Sequence, residues 1–130
     1  MIRILVTGSR TWTDRDWIAS ELTRAFNESV ANRNIKTWTR INVTLVSGAC
    51  PRGADRIAEQ IAQGYGWTVE PHPARWDEHG RRAGFLRNLE MVQAGADICV
   101  AFVRAGSRGA THCGTAAQKA GIPVRWNEAL

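Results

Sequence analysis

Three short stretches of this 130-residue sequence set glycine beside arginine. They are Thr7-Gly8-Ser9-Arg10, then Ser47-Gly48-Ala49-Cys50-Pro51-Arg52-Gly53-Ala54-Asp55, then Gly106-Ser107-Arg108-Gly109-Ala110-Thr111-His112. Glycine lets the backbone approach an anion closely, and arginine clamps phosphate with two parallel hydrogen bonds. A helix starting just after such a turn adds unpaired N–H groups and a favourable dipole. The chemistry implied is the holding of a phosphate-bearing ligand. None of the stretches follows GxxxxGK[ST], and none has GxGxxG with a ribose-binding acid at the proper distance, which argues against a P-loop hydrolase or an ordinary dehydrogenase.

Other reactive residues are less well assembled. His112 precedes Cys113 directly, an awkward geometry for activating a thiolate, and neither has partners at metal-ligand spacing. We therefore expect no metal and no cofactor, and keep His112 as a ligand contact. Asp55 has two roles open to it, receiving a ligand hydroxyl or capping the helix that follows. His72, Arg75, Trp76, His79, Arg81 and Arg82 share one long polar stretch that either closes over a ligand or lies in solvent.

Elements that place these residues follow from periodicity. Residues 2–7 are apolar and β-branched, as a buried strand requires, and run into the first glycine turn. Asp14 is an N-cap for a helix carrying Ile18, Leu22, Ala25 and Phe26 and ending near Asn32. Residues 32–42 read as a loop with Trp38 its one large apolar residue. Residues 43–47 form a second strand, and Ala54, Ile57, Ala58, Ile61 and Ala62 mark a helix ended by Gly64 and Gly66. A short strand over 67–70 precedes the irregular stretch 71–82. Phe85, Leu89 and Val92 share a helical face over 83–95, residues 98–103 make a central strand, and a helix with Ala116, Ala117 and Ala120 leads to a last strand over 122–125. This alternation predicts one α/β domain over residues 1–130: a Rossmann-like, mostly parallel sheet of about five strands with helices on both faces.

Composition agrees with one globular unit. The hydrophobic fraction is 44% and the charged fraction 22%, and no apolar run approaches the ~20 residues that span a bilayer. The opening residues resemble a strand more than a signal peptide, and three cysteines without CxxC spacing fit a reducing, cytoplasmic compartment. The net charge of +5 rests on 15 arginines against Lys36 and Lys119, and leaves nucleic acid and a small anion both open. Six tryptophans, Trp12, Trp17, Trp38, Trp67, Trp76 and Trp126, exceed the needs of so small a core and suggest a homodimer or higher homo-oligomer.

Val6-Thr7-Gly8-Ser9-Arg10, the stretch from Ser47 to Asp55, Ala83-Gly84-Phe85-Leu86-Arg87-Asn88-Leu89-Glu90-Met91 and Ser107-Arg108-Gly109-Ala110-Thr111-His112 occur in that order. Together they resemble the YspA-related branch of the SLOG superfamily, over nearly the whole chain. Wider relatives include the LOG phosphoribohydrolases and the DNA-processing protein DprA. The resemblance implies a nucleotide or nucleotide-derived ligand lying across the glycine loops. It places Gly8, Ser9, Arg10, Gly48, Arg52, Gly53, Asp55, Arg87, Asn88, Gly106, Ser107, Arg108, Gly109, Thr111 and His112 at the ligand, with Met91 in the core.

One departure weighs against catalysis. LOG enzymes carry P-G-G-x-G-T-x-x-E, whose glutamate assists cleavage of the base–ribose bond, whereas this chain has no carboxylate in the third stretch. Glycosidic cleavage through an oxocarbenium-like state wants one. Arg87 and Glu90 would be catalytic only in an enzyme, and Glu90, Asp77 or Glu78 could substitute for the missing glutamate only from other segments. The expected function is thus binding, by sensing or sequestration, of a nucleotide-derived small molecule. The alternatives are LOG-like hydrolysis of a nucleoside monophosphate and DprA-like nucleic-acid binding.

Overall fold

The computed structural model describes residues 1–36 and 40–129; Trp38 lies outside them. Five strands, β1 (Ile2–Gly8), β2 (Val43–Ser47), β3 (Thr68–Pro71), β4 (Ile98–Arg104) and β5 (Val124–Ala129), form one sheet. Its order is β3-β2-β1-β4-β5 and every pair is parallel. Strand building proceeds outward from β1 in one direction as far as β3, then resumes on the other side of β1 with β4.

That reversal decides where the helices lie. A right-handed crossover rule puts helices made before and after the reversal on opposite faces. Accordingly α1 (Arg15–Asn32) packs beside α2 (Ala54–Gly64), and α4 (Ala83–Ala94) beside α5 (Arg108–Lys119). Alternation along the strands supplies each layer with its own core. Ile4, Val6, Leu45, Val100 and Phe102 meet Ile18, Leu22, Ala54 and Ala58, while Leu5, Val46 and Cys99 meet Met91, Val92, Cys113 and Ala117. Strands buried on both faces explain the unbroken apolar runs. The Asp14 side chain accepts the Trp17 amide at 3.0 Å, the expected N-cap of α1. Among the described residues no helix is long and apolar enough to cross a membrane.

Three expectations about elements need correction. The last strand is Val124–Ala129, not 122–125. Ile122 packs in the α4–α5 core layer, and the strand continues through polar residues because β5 is an edge strand. There Arg125 reaches out to Glu21 and Glu28 of α1. Stretch 71–82 is not irregular: it holds a one-turn helix, α3 (Trp76–His79), and a 3₁₀ turn at Gly80–Arg82 that runs into α4. Elements so short fall below any periodicity window. Finally, the face shared by Phe85, Leu89 and Val92 is not the buried face of α4. Phe85 and Leu89 are each 43% exposed, and α4 buries Ala83, Asn88, Met91 and Val92. Asn88 can be buried because its amide is bonded, which hydropathy does not register.

Candidate functional site

The carboxyl ends of β1, β2 and β4 meet at the switch point between β1 and β4, where open parallel sheets leave a crevice. A cleft of about 550 Å³ opens there, within the range of small-molecule sites. All three glycine stretches contribute to its wall, together with Trp76, Arg81, Gly84, Phe85, Arg87 and Asn88.

The first two loops fit each other backbone to backbone. Gly53 has φ +77°, and a Cβ there would fall 2.4 Å from Arg10 Cα and from the Ser9 carbonyl oxygen. The Ala54 amide donates to that same carbonyl at 3.1 Å. Gly8 is needed for packing, since a Cβ on it would lie 2.3 Å from Ala54 Cβ. The Ser9 hydroxyl is bonded to Thr11, to its amide at 3.2 Å and its hydroxyl at 2.9 Å. Ser9 and Gly53 therefore shape the wall, while Arg52 is exposed and outside the lining.

Arg87 and Asn88 tie the remaining loops to α4. The Arg87 guanidinium donates to the carbonyls of Gly48 and His72, and its Nε to Asn88 Oδ1 at 2.9 Å. Asn88 Nδ2 in turn donates to the Gly109 carbonyl at 3.1 Å and lies 3.3 Å from His112 Nδ1. Nη1 of Arg87 thus holds second-loop and β3-end carbonyls, which makes the residue a clamp as well as part of the cleft wall. Ser107 is the N-cap of α5 without a side-chain cap bond. The first-turn amides of Gly109 and Ala110, both at the cleft, have no acceptor within the helix.

Charge in the cleft is lopsided. Arg10, Arg81, Arg87 and Arg108 line it, and among the described lining residues Asp55 is the only carboxylate. Asp55 does not cap α2, whose N-cap is Gly53. Its Oδ2 accepts the Cys50 amide at 3.3 Å, its Oδ1 is buried without a partner, and the residue is 5% exposed. Burial pushes its carboxyl up to about 7, against the pull of the Cys50 amide, Arg87 and Arg10 and with a push from Glu59. Glu59, outside the lining, accepts the Ser47 hydroxyl at 2.7 Å.

Thr111 and His112 are turned away from the cleft and line an adjoining cavity on the other side of the 106–108 loop. The Thr111 hydroxyl donates to the Ser107 carbonyl at 2.9 Å. His112 rests against Phe85 with ring centroids 4.6 Å apart, and burial lowers its pKa. Cys113 points into the core, where burial raises its thiol to about 11, so the His112–Cys113 pair makes no nucleophile. Glu90 and His72 are also outside the lining: His72 lies between Glu70 at 2.8 Å and Glu90 at 3.3 Å. Asp77 and Glu78 are exposed on α3. Among the described residues no group of three or more His, Cys, Asp or Glu could hold a metal ion. Residues absent from the sequence-derived set but lining the cleft include Thr11, Trp76, Arg81 and Phe85. The long stretch before α4 signalled Trp76 and Arg81, because a connection from β3 to α4 passes the strand ends.

The family described as "YspA, cpYpsA-related SLOG family" matches residues 2–79. The chain belongs to this SLOG family. The match spans the first two glycine loops and stops before the Arg87-Asn88 and Ser107-to-His112 motifs. A relative extends further: the Gene 61 protein of Mycobacterium phage D29 is 44% identical over 133 aligned positions, covering 95% of this chain and 94% of the phage protein. No solved structure matches this SLOG chain significantly.

Proposed function

We propose that the chain binds a nucleotide or nucleotide-derived small molecule across the ends of β1, β2 and β4, as a sensor or sequestering protein. The observation that carries this reading is the cleft itself: four arginines, two free first-turn amides of α5 and one buried carboxylate on a preformed wall. Anion, helix N-terminus and arginine fork complement one another. Trp76, half exposed with the Arg10 guanidinium 5.9 Å over its ring, offers a face on which a base can stack. SLOG membership supports the same ligand class. Isothermal titration against nucleotides, ADP-ribose derivatives and cyclic nucleotides tests it. We expect at least one ligand in the micromolar range; no binder tighter than millimolar would refute the proposal.

A hydrolytic second reading gains one observation, a cleft carboxylate held near neutrality, which is a frequent mark of catalytic acids. Chromatography for free base released from nucleoside monophosphates decides it. Base release abolished in Asp55→Asn would establish hydrolysis. DprA-like nucleic-acid binding is the weaker alternative, because the arginines gather in a closed cleft and not along an open groove with several aromatic platforms. We place the protein in the cytoplasm on its unpaired cysteines Cys50, Cys99 and Cys113. We further infer a homo-oligomer formed through the exposed apolar face of Phe85, Leu86 and Leu89. Light scattering checks it, and a monomeric mass would exclude it.

A further inference from the structure

Among the described residues two buried side-chain polar atoms lack a partner, Ser29 Oγ on α1 and Asp55 Oδ1, and of the two only Asp55 lies at the cleft. In its ionised form, which prevails above about pH 7, the Asp55 carboxylate has only acceptor sites, and buried acceptors are almost always bonded. Oδ2 takes the Cys50 amide, yet Oδ1 is buried with no donor. Arg87 does not fill the gap: its Nε donates to Asn88 and its Nη1 to Gly48 and His72, and it makes no hydrogen bond to Asp55. Asp55 nevertheless forms part of the cleft wall. The cleft is where a ligand can bring the donor that completes it.

The surroundings narrow that donor. A phosphate oxygen has no hydrogen to give and is repelled by the carboxylate. An ammonium would sit among Arg10, Arg87 and Arg108 in the same cleft. A neutral hydroxyl meets neither objection. The anion-holding groups, Arg108 and the Gly109 and Ala110 amides, follow β4, whereas Asp55 follows β2; β1 lies between them. Two strand spacings are about 10 Å. A bare phosphate cannot bridge that distance, but a sugar carrying an extended diphosphate can.

Resting on the nucleotide-binding reading, we propose that the ligand is a ribosyl diphosphate whose free ribose hydroxyls donate to Asp55 Oδ1 while its phosphates sit at the first turn of α5. Asp55 is then the residue that distinguishes a ribose from a deoxygenated sugar or an inorganic phosphate.

Calorimetric titration at pH 8 of the four common ribonucleoside diphosphates, their 2′,3′-dideoxy counterparts and inorganic pyrophosphate tests the assignment, on the wild-type protein and on Asp55→Asn. The expected result is that the tightest ribonucleotide binds at least about tenfold better than its dideoxy form, the scale of one hydrogen bond to a charged group. In Asp55→Asn that ratio falls below about threefold; the ratio and not the absolute affinity is the readout, because removing the carboxylate also lifts its repulsion of the diphosphate. A wild-type ratio near one overturns the assignment whatever the variant does, and so does a ratio that the variant keeps. Failure of every diphosphate to bind the wild-type protein overturns the assignment; if other nucleotides still bind, the broader reading stands.

Discussion

Replacing Asp55 by asparagine keeps the side-chain shape and removes a buried charge, so its effect on stability depends on pH in a calculable way. The Asp55 carboxyl is raised from 3.8 to about 7, chiefly by burial. The folded protein therefore holds a proton on Asp55 between about pH 4 and 7 that the unfolded chain has released. Below pH 4 the group costs nothing extra; as pH rises towards 7 its contribution to stability is lost, and above 7 the ionised form burdens the fold in full. At ~1.36 kcal/mol for each pH unit, the rise gives a ceiling of about 4 kcal/mol. A domain of this size has a total stability of roughly 5–15 kcal/mol, so the burden is large. Urea unfolding of both proteins at pH 4.5 and pH 8 measures it. We expect Asp55→Asn to gain up to about 3 kcal/mol over wild type on going from the lower to the higher pH, since about 1 kcal/mol of the ceiling is already lost at pH 4.5. A difference between the two proteins that is the same at both pH values would refute the reasoning, because every other titrating group is common to both. A fold that tolerates such a burden beside a cleft fits a residue retained for its ligand.

Glu70 provides the opposite sign in a separate window. Hydrogen bonds from Arg3 and His72 hold it at about 2, below its ordinary 4.5, so wild type should lose its advantage over Glu70→Gln as pH falls from about 4.5 to 2; parallel acid-unfolding curves would contradict this. Gly53→Ala should lower Tm by about 10 °C, combining a strained positive φ with backbone clashes, roughly 3 kcal/mol against ~0.27 kcal/mol/K for 130 residues. Gly66→Ala has the same sign of φ with nothing within 4 Å of its added Cβ, and should cost only about 4 °C; calorimetry giving equal shifts would show that the loops do not meet as described. Iodoacetamide at pH 8 should label Cys50, which lines the cleft, and spare Cys99 and Cys113, whose thiols are buried and raised; mass-mapped modification of Cys113 in the native protein would count against its placement.

Much of the layout was legible in the sequence because buried parallel strands need continuous apolar runs and the helices between them need spaced alanine and isoleucine. Residues 2–7, 43–47 and 98–103 announce themselves in that way. What escaped depended on neighbours. The β5 edge strand is half polar, since Arg125 faces Glu21 and Glu28, and α4 buries an asparagine while exposing Phe85 and Leu89. At the site, eleven of the fifteen expected ligand residues line one cleft; Arg52, Gly53, Thr111 and His112 do not. Glycine and arginine spacing reveals which loops meet, but not the rotation of α5 that carries Thr111 and His112 to its other side. Nor does spacing distinguish a donor spent on a carbonyl, as in Arg87, from one free for a ligand. Asp55 shows the reverse: its capping role looked as plausible as ligand contact, and only the geometry left Oδ1 without a partner.

Amide-resolved NMR titration with a ribonucleoside diphosphate tests the cleft most directly, since 130 residues give a fully assignable spectrum. Saturable shifts should concentrate at Gly8 to Thr11, Gly48 to Cys50 and Gly106 to Ala110, the three walls of the cleft. No saturable shift, or shifts confined to Thr111, His112 and Glu128 of the adjoining cavity, would contradict a nucleotide site at these strand ends.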